Sequence, residues 1–449
     1  MENKKYIVIL EIASSRISAS AAVMDVVTKD ISEVCHFEEE INGCVRYGSI
    51  VNVDEVYSKT NIVFKKIEEN RKINSRKIEG VYIGLDARSL HNETKFIEKE
   101  ISEEFPISES MINNIQKEVE TQFQDVDVLG VVMGKCEIDG KEVSNPIGSI
   151  GKHLSISMNV IVCKKQILKN IQMVLNRLKV RLLGINVTPL AVADLILGEK
   201  EKQIGCMLVD LGADTTTVSI YKNGHLAYLN VLPMGSRHIT RDLITLNIME
   251  DEAERVKRSF GLLPDSDIPE TNFTTAFQKT DAANYIKSRA GEIVENIVNQ
   301  MNLAEIPAEQ LADGIIAIGR GMRLNGLTDM LAHVSRMNVR IGSITEFPNN
   351  ADSRDRIQAL AILDAVSKTT TETDEECMSM PVLPEKKELP TLPELPEQPK
   401  KEEKEKESKE KEPGSNPKKK RGFFERITGA IGKAVDTRLY NDDDDDDNK

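Results

Sequence analysis

"GCMLVDLGADTTTVSIYKNGHLAYLNVL" occupies residues 205–232. Gly205 to Asp210 is an apolar run that ends on a carboxylate, the pattern of a strand buried on both faces. A turn of small and hydroxyl residues follows. Val218 to Tyr221 and Leu226 to Leu232 then flank Lys-Asn-Gly, a strong hairpin signal. The same grammar opens the chain. Lys5 to Ile12 is a continuous apolar strand, "EIASSRIS" (residues 11–18) is the turn, and Ile17 to Val27 and Ile31 to Phe37 extend a meander. Two copies of one strand–turn–hairpin unit, at 5–27 and 205–232, imply an internally duplicated α/β chain.

Between the copies, helical spacing appears over Asp54–Ile73, Ser108–Gln122, Gln166–Leu178 and Pro189–Leu197, with strands from Val81 and over Arg181–Val187. After the second copy come helices over Arg237–Leu246, Glu250–Phe260 and Asp281–Leu303. A strand at Gly314 and a helix from about Leu324 precede the closing helix "RIQALAILDAV".

The chain has 449 residues and a formal charge of −14. That acidity argues against a general nucleic-acid binder, and no nucleic-acid partner is expected. Six cysteines lie scattered without CxxC spacing and no HExxH occurs, so no metal site is expected. The scattered thiols suit a reducing cytosol. The N-terminus reads as a strand rather than a signal peptide, and no run of 18 apolar residues occurs.

Near residue 367 the composition turns to Thr, Glu, Lys and Pro. Residues 367–417 cannot bury enough apolar surface to fold and read as a linker. As a flexible coil its reach is roughly 40 Å. In "RGFFERITGAIGKAVDTRLY" (residues 421–440), Phe423, Phe424, Ile427, Ala430, Ile431, Ala434 and Val435 share one helical stripe. Lys418, Lys419, Lys420, Arg421, Arg426, Lys433 and Arg438 surround it with positive charge. This is the pattern of an interfacial helix lying on an anionic membrane, with Phe423, Phe424, Ile427, Ile431, Val435, Lys419, Lys420 and Arg421 as its binding residues. An acidic tail, 441–449, follows; its six aspartates oppose such a surface.

Three loops could cradle phosphates, because small residues admit close backbone approach and hydroxyls add donors. They are Ser14-Ser15-Arg16, the turn with Asp210, Gly212, Thr215 and Thr216, and the turn with Gly319 and Gly321. Singly each is weak. In this order, in a duplicated α/β chain, they are more specific.

The order of segments resembles the actin-like ATPase superfamily, and within it the FtsA family. The carrying stretches are "NGCVRYGSIVNVDEV", "SNPIGSIGKHLSISMNVIVCKKQILKNI", "GINVTPLAVADLIL", "LVDLGADTTTVSIYKNGHLAYLNVLPMGSRHITRDL" and "EDEAERVKRSFG". The resemblance implies an α/β, actin-like fold of two duplicated domains with an FtsA-type extra subdomain. The implied layout is 1–83 with 163–197 as subdomain 1A and 84–162 as subdomain 1C. Residues 198–366 form the second domain, its outer part 2B at about 235–305. The linker and the helix 418–440 follow.

It also implies ATP with Mg2+ in the interdomain cleft. Ser14, Ser15 and Arg16 would form the first phosphate loop, and Asp210, Gly212, Thr215 and Thr216 the second. Gly235, Glu254 and Lys257 would sit near the nucleoside, and Gly319 and Gly321 would line the adenosine pocket. Implied partners are the C-terminal peptide of FtsZ, further copies in a filament, the anionic membrane and later divisome proteins. The implied place is the cytoplasmic face of the bacterial inner membrane at the division site.

Departures from the family pattern cluster in this cleft. Glu11 replaces an Asp, Ala13 and Asp214 replace glycines, Thr217 replaces an Asp and Arg320 replaces the middle Gly of the third loop. Thr188 stands where a longer Gln or Glu could orient water, and Asn145 replaces an Asp further upstream. An extra carboxylate beside phosphates repels them, so slow turnover or none is expected. Alternative readings are a degenerate paralogue that only binds partners, or an actin-like pilus-assembly protein. A sugar kinase lacks its base and open cleft here, and a chaperone ATPase lacks its peptide-binding β-domain.

Overall fold

A computed structural model describes residues 4–73, 76–103, 105–263, 277–344 and 353–379. The expected linker beyond residue 379, the helix 418–440 with its lipid-facing residues, and the acidic tail lie outside the described residues.

Buried strands and amphipathic helices build two sheets of the same design. The first runs, in spatial order, Arg181–Val187, Gly80–Leu85, Lys4–Ile12, Arg16–Asp25 and Ile31–Glu40. The second begins Val339–Ile341, Gly314–Ile318, Cys206–Leu211, Thr216–Lys222 and His225–Leu232. Within each half the order is fifth, fourth, first, second, third. The leading strand pairs antiparallel with its hairpin partner and parallel with the fourth strand. This repeat is the duplicated actin-like arrangement. The helix Ile357–Thr369 buries Leu360, Ile362, Leu363 and Val366, and packs against the first sheet and the helix Thr188–Ile196.

Within the first half, inserted between Gly80–Leu85 and Arg181–Val187, strands His91–Glu100, His153–Lys164 and Val126–Ile138 form an extra sheet. The helix Glu109–Glu120 covers it with buried Ile112, Ile115 and Val119. Ser108 caps that helix, its Oγ accepting from the Met111 N–H at 3.2 Å. The extra sheet joins the second one edge to edge through the pair Asn230–His91. Side-chain amides bridge where that ladder is thin. The Leu229 N–H donates to Asn92 Oδ1 at 2.6 Å, and Asn159 Nδ2 donates to the Leu226 carbonyl at 2.6 Å.

The start of the expected linker needs correction. Residues 367–369 complete the closing helix, and 370–379 return as a strap along the first sheet. Cys377 and Met378 are buried, and Met378 bridges to Ile78. Lys5 Nζ donates to the carbonyls of Thr371, Glu372 and Asp374. Composition hid this segment because two apolar residues anchor it, while its polar backbone is satisfied by lysines and strand edges.

Candidate functional site

Both copies of the leading strand end at one cleft of about 880 Å³. It lies beyond the carboxyl ends of the parallel strands, where α/β sheets take ligands. The two turns that meet there are alike. The Ala13 N–H donates to the Arg16 carbonyl at 3.0 Å, and the Gly212 N–H donates to the Thr215 carbonyl at 2.9 Å.

Ser14, Ser15, Arg16, Asp210, Gly212, Thr215, Glu254, Lys257, Gly319 and Gly321 all line the cleft. Thr216 and Gly235 are not among its lining residues. The Thr216 hydroxyl donates to the Met234 carbonyl at 2.7 Å, deep in the fold. Gly235 lies against the second turn, where a Cβ would come 2.3 Å from the Ala213 carbonyl oxygen. Gly319 has φ +92, and its missing Cβ would meet Asp210 Oδ1 and the Leu211 carbonyl at 2.4 Å. That glycine brings the third loop onto the second.

Glu254 and Lys257 pair at 2.6 Å around the Thr240 hydroxyl, which donates to Glu254 at 2.7 Å. Lys257 also donates to Thr240 at 3.0 Å and is only 6% exposed. Burial lowers the pKa of its ammonium. Burial opposes the charge on Glu254, but Lys257, Thr240 and Arg258 outweigh it and hold that carboxyl below its usual range.

The acidic floor has three members. Ser18 donates to Glu11 Oε2 at 3.2 Å, and Gln358 Nε2 donates to Asp210 Oδ2 at 2.7 Å. Thr217 donates to Asp86 Oδ2 at 2.7 Å. Burial pushes Asp86 up to about 7, against the Thr217 bond and with help from Asp210 and Glu11. Burial pushes Asp210 up to about 6, opposed by Gln358 and reinforced by Glu11. Asp86 Oδ1 and Thr188 Oγ1 are buried without a hydrogen-bond partner among the described residues. They follow Leu85 and Val187, which are paired neighbours in adjacent parallel strands.

Two of the expected departures act differently from the sequence reading. Asp214 does not face phosphates. It is 1% exposed, is absent from the lining, and pairs with Arg237 and Arg241, each at 3.3 Å. Arg237 also donates to the Ser14 carbonyl at 3.2 Å, joining the two turns. Arg320 is paired with Glu38 at 2.7 Å and with Asp355 at 3.6 Å. Asp86, Arg237, Glu38 and Gln358 escaped the sequence reading. Asp86 was findable, since it directly follows an apolar strand at its carboxyl end.

The cleft suits a nucleotide in size, in its turns and in its unpartnered oxygens at the floor. Among the described residues no group of three or more His, Cys, Asp or Glu could hold a metal ion.

Residues 207–362 match the family model described as cell division protein FtsA. The cell division protein FtsA of Porphyromonas gingivalis is 29% identical over 74% of this chain and 71% of its own length. That of Bacillus subtilis is 26% identical over 79% and 81%. Over most of its length the chain is similar to FtsA proteins, and these relatives support an actin-like role in cell division. A solved PilM–PilN type IV pilus biogenesis complex superposes with TM-score 0.56 at 13% identity, covering 82% of this chain and 98% of that one, a likeness of fold alone. No described helix is long and apolar enough to cross a membrane.

Proposed function

We propose that this chain is an FtsA-type division scaffold that assembles on the cytoplasmic face of the inner membrane and holds FtsZ filaments there. The observation that carries the reading is the combination of two actin-like halves that close on a cleft with a basic, apolar-striped segment at 418–440, ahead of the acidic residues 441–449. The C-terminal peptide of FtsZ, further copies of this chain, anionic lipid and later divisome proteins are its partners. One tail helix attaches marginally, and a filament that presents many gains avidity.

The cleft would hold ATP. Ser15, Arg16 and Thr215 would meet the phosphates, and Glu254 and Lys257 the nucleoside. Mg2+ would travel with the phosphates, and Asp210 would reach it through water. ATP supplies binding energy between the halves. Thr188 is too short to orient an attacking water as Gln or Glu would, so phosphate release from purified protein should be very slow. The pilus-assembly reading rests on fold likeness alone and has no separate support.

The test uses anionic vesicles and FtsZ filaments. The full-length protein should bring both down together, and deletion of 418–440 should release it from lipid. Equal co-sedimentation of intact and deleted protein would overturn the reading.

A further inference from the structure

The halves touch across the cleft through their own side chains. Thr217 bonds Asp86 at 2.7 Å on the floor, Asn42 bonds Glu250 at 3.0 Å, and Arg237 bonds the Ser14 carbonyl at 3.2 Å. One bridge differs from these. Glu38, on the edge strand Ile31–Glu40, holds Arg320 of the third loop at 2.7 Å and Arg16 of the first loop at 3.6 Å. All three line the cleft. A single carboxylate therefore occupies one arginine from each half, each in a loop that faces the nucleotide.

We propose that Glu38 is a built-in competitor for the phosphates of a nucleotide. In the ligand-free protein it ties Arg16 to Arg320, and an incoming polyphosphate takes both arginines and cuts that tie. A guanidinium meets phosphate through two parallel donors, and a polyphosphate carries more charge than one carboxylate. Glu38 is poorly placed to win. Its side chain is 34% exposed, and its 3.6 Å contact with Arg16 is long. Asp355, 3.6 Å from Arg320, keeps that arginine in place after Glu38 lets go. Nucleotide binding thus exchanges one bridge between the halves for another. The cost to affinity is that of a half-exposed ion pair. This inference rests on the nucleotide reading of the cleft.

The experiment titrates a fluorescent ATP analogue with Mg2+ into the full-length protein and into Glu38→Gln, Arg320→Gly and the double variant. Far-UV circular dichroism checks that each is folded. Glu38→Gln should bind roughly three- to ten-fold more tightly than wild type. That gain should vanish when Arg320 is Gly. Without nucleotide, amide exchange at residues 12–16 and 319–323 should be faster in Glu38→Gln than in wild type. Wild-type binding that Glu38→Gln leaves unchanged would overturn the competitor role alone. Failure of both proteins to bind the analogue would remove the nucleotide reading and the inference together.

Discussion

The turns at 13–16 and 212–215 close with the same backbone bond, yet the side chains around them are used in opposite ways. Glu11 and Asp210 occupy equivalent strand ends, as do Ser18 and Thr217 on the returning strands. In the first half Ser18 turns back to Glu11, so hydroxyl and carboxylate serve each other within one hairpin. In the second half Thr217 ignores Asp210 and reaches Asp86 across the cleft. Ser15 stands at the position equivalent to Asp214. Ser15 lines the cleft, whereas Asp214 is buried and neutralised by two arginines. The first turn thus serves itself and the cleft, while the second is the one that fastens the halves. Duplication fixed the backbone and left the side chains free to specialise.

The largest expected effect tests whether the second turn carries more load. Arg237→Ala removes one partner of a buried carboxylate and the link to Ser14. It should cost about 3 kcal/mol in urea unfolding; a loss below 1 kcal/mol would place the fastening elsewhere.

Next, Thr217→Val should cost about 2 kcal/mol at pH 8, because it leaves Asp86 without its donor. The cost should shrink at pH 5.5, where Asp86 is protonated. An equal cost at both pH values would mean that the bond does not serve the charged form.

Asp86 also gives a pH signature. Its folded pKa of about 7 lies above that of an unfolded aspartate, so folding retains a proton in between. Its contribution to stability is full below the unfolded pKa and is lost as pH rises through about 7. In thermal melts, Asp86→Asn should reduce the gain in Tm from pH 8 to pH 6 by about 2 °C. Parallel wild-type and variant curves would contradict this, although Asp210 keeps a smaller dependence near pH 6 in both.

The smallest effect belongs to Ser18→Ala. Its 3.2 Å bond serves a carboxylate that lines the cleft and can reach water, so about 0.5 kcal/mol is expected. A cost that matched Thr217→Val would erase the difference between the two turns.

Much of the fold was legible because its signals are local. Apolar runs, Lys-Asn-Gly and the repeated turn sufficed to place the strands of both halves except the three-residue edge strand Val339–Ile341, too short to leave a pattern. The identities of Arg16, Asp210, Lys257 and Gly319 as cleft residues followed from strand ends and from the family pattern. What stayed hidden depended on direction. No spacing tells whether Asp214 points into a cleft or under the turn that bears it. Arg320 pairs with Glu38, 282 residues away. The strap at 370–379 was missed because its text is polar and its anchor is two residues long.

That strap has a mechanical consequence. The backbone of Cys377 accepts from Glu79 at 2.8 Å and Gly80 at 3.1 Å, and Ser379 donates to the Lys77 carbonyl at 2.8 Å. Tension drawn along the chain from beyond residue 379 enters the first half beside Ile78, where these bonds share it. It reaches the closing helix only after they part, and the cleft only after that. The strap works as strain relief, like a cable clamped to its housing before the solder joint.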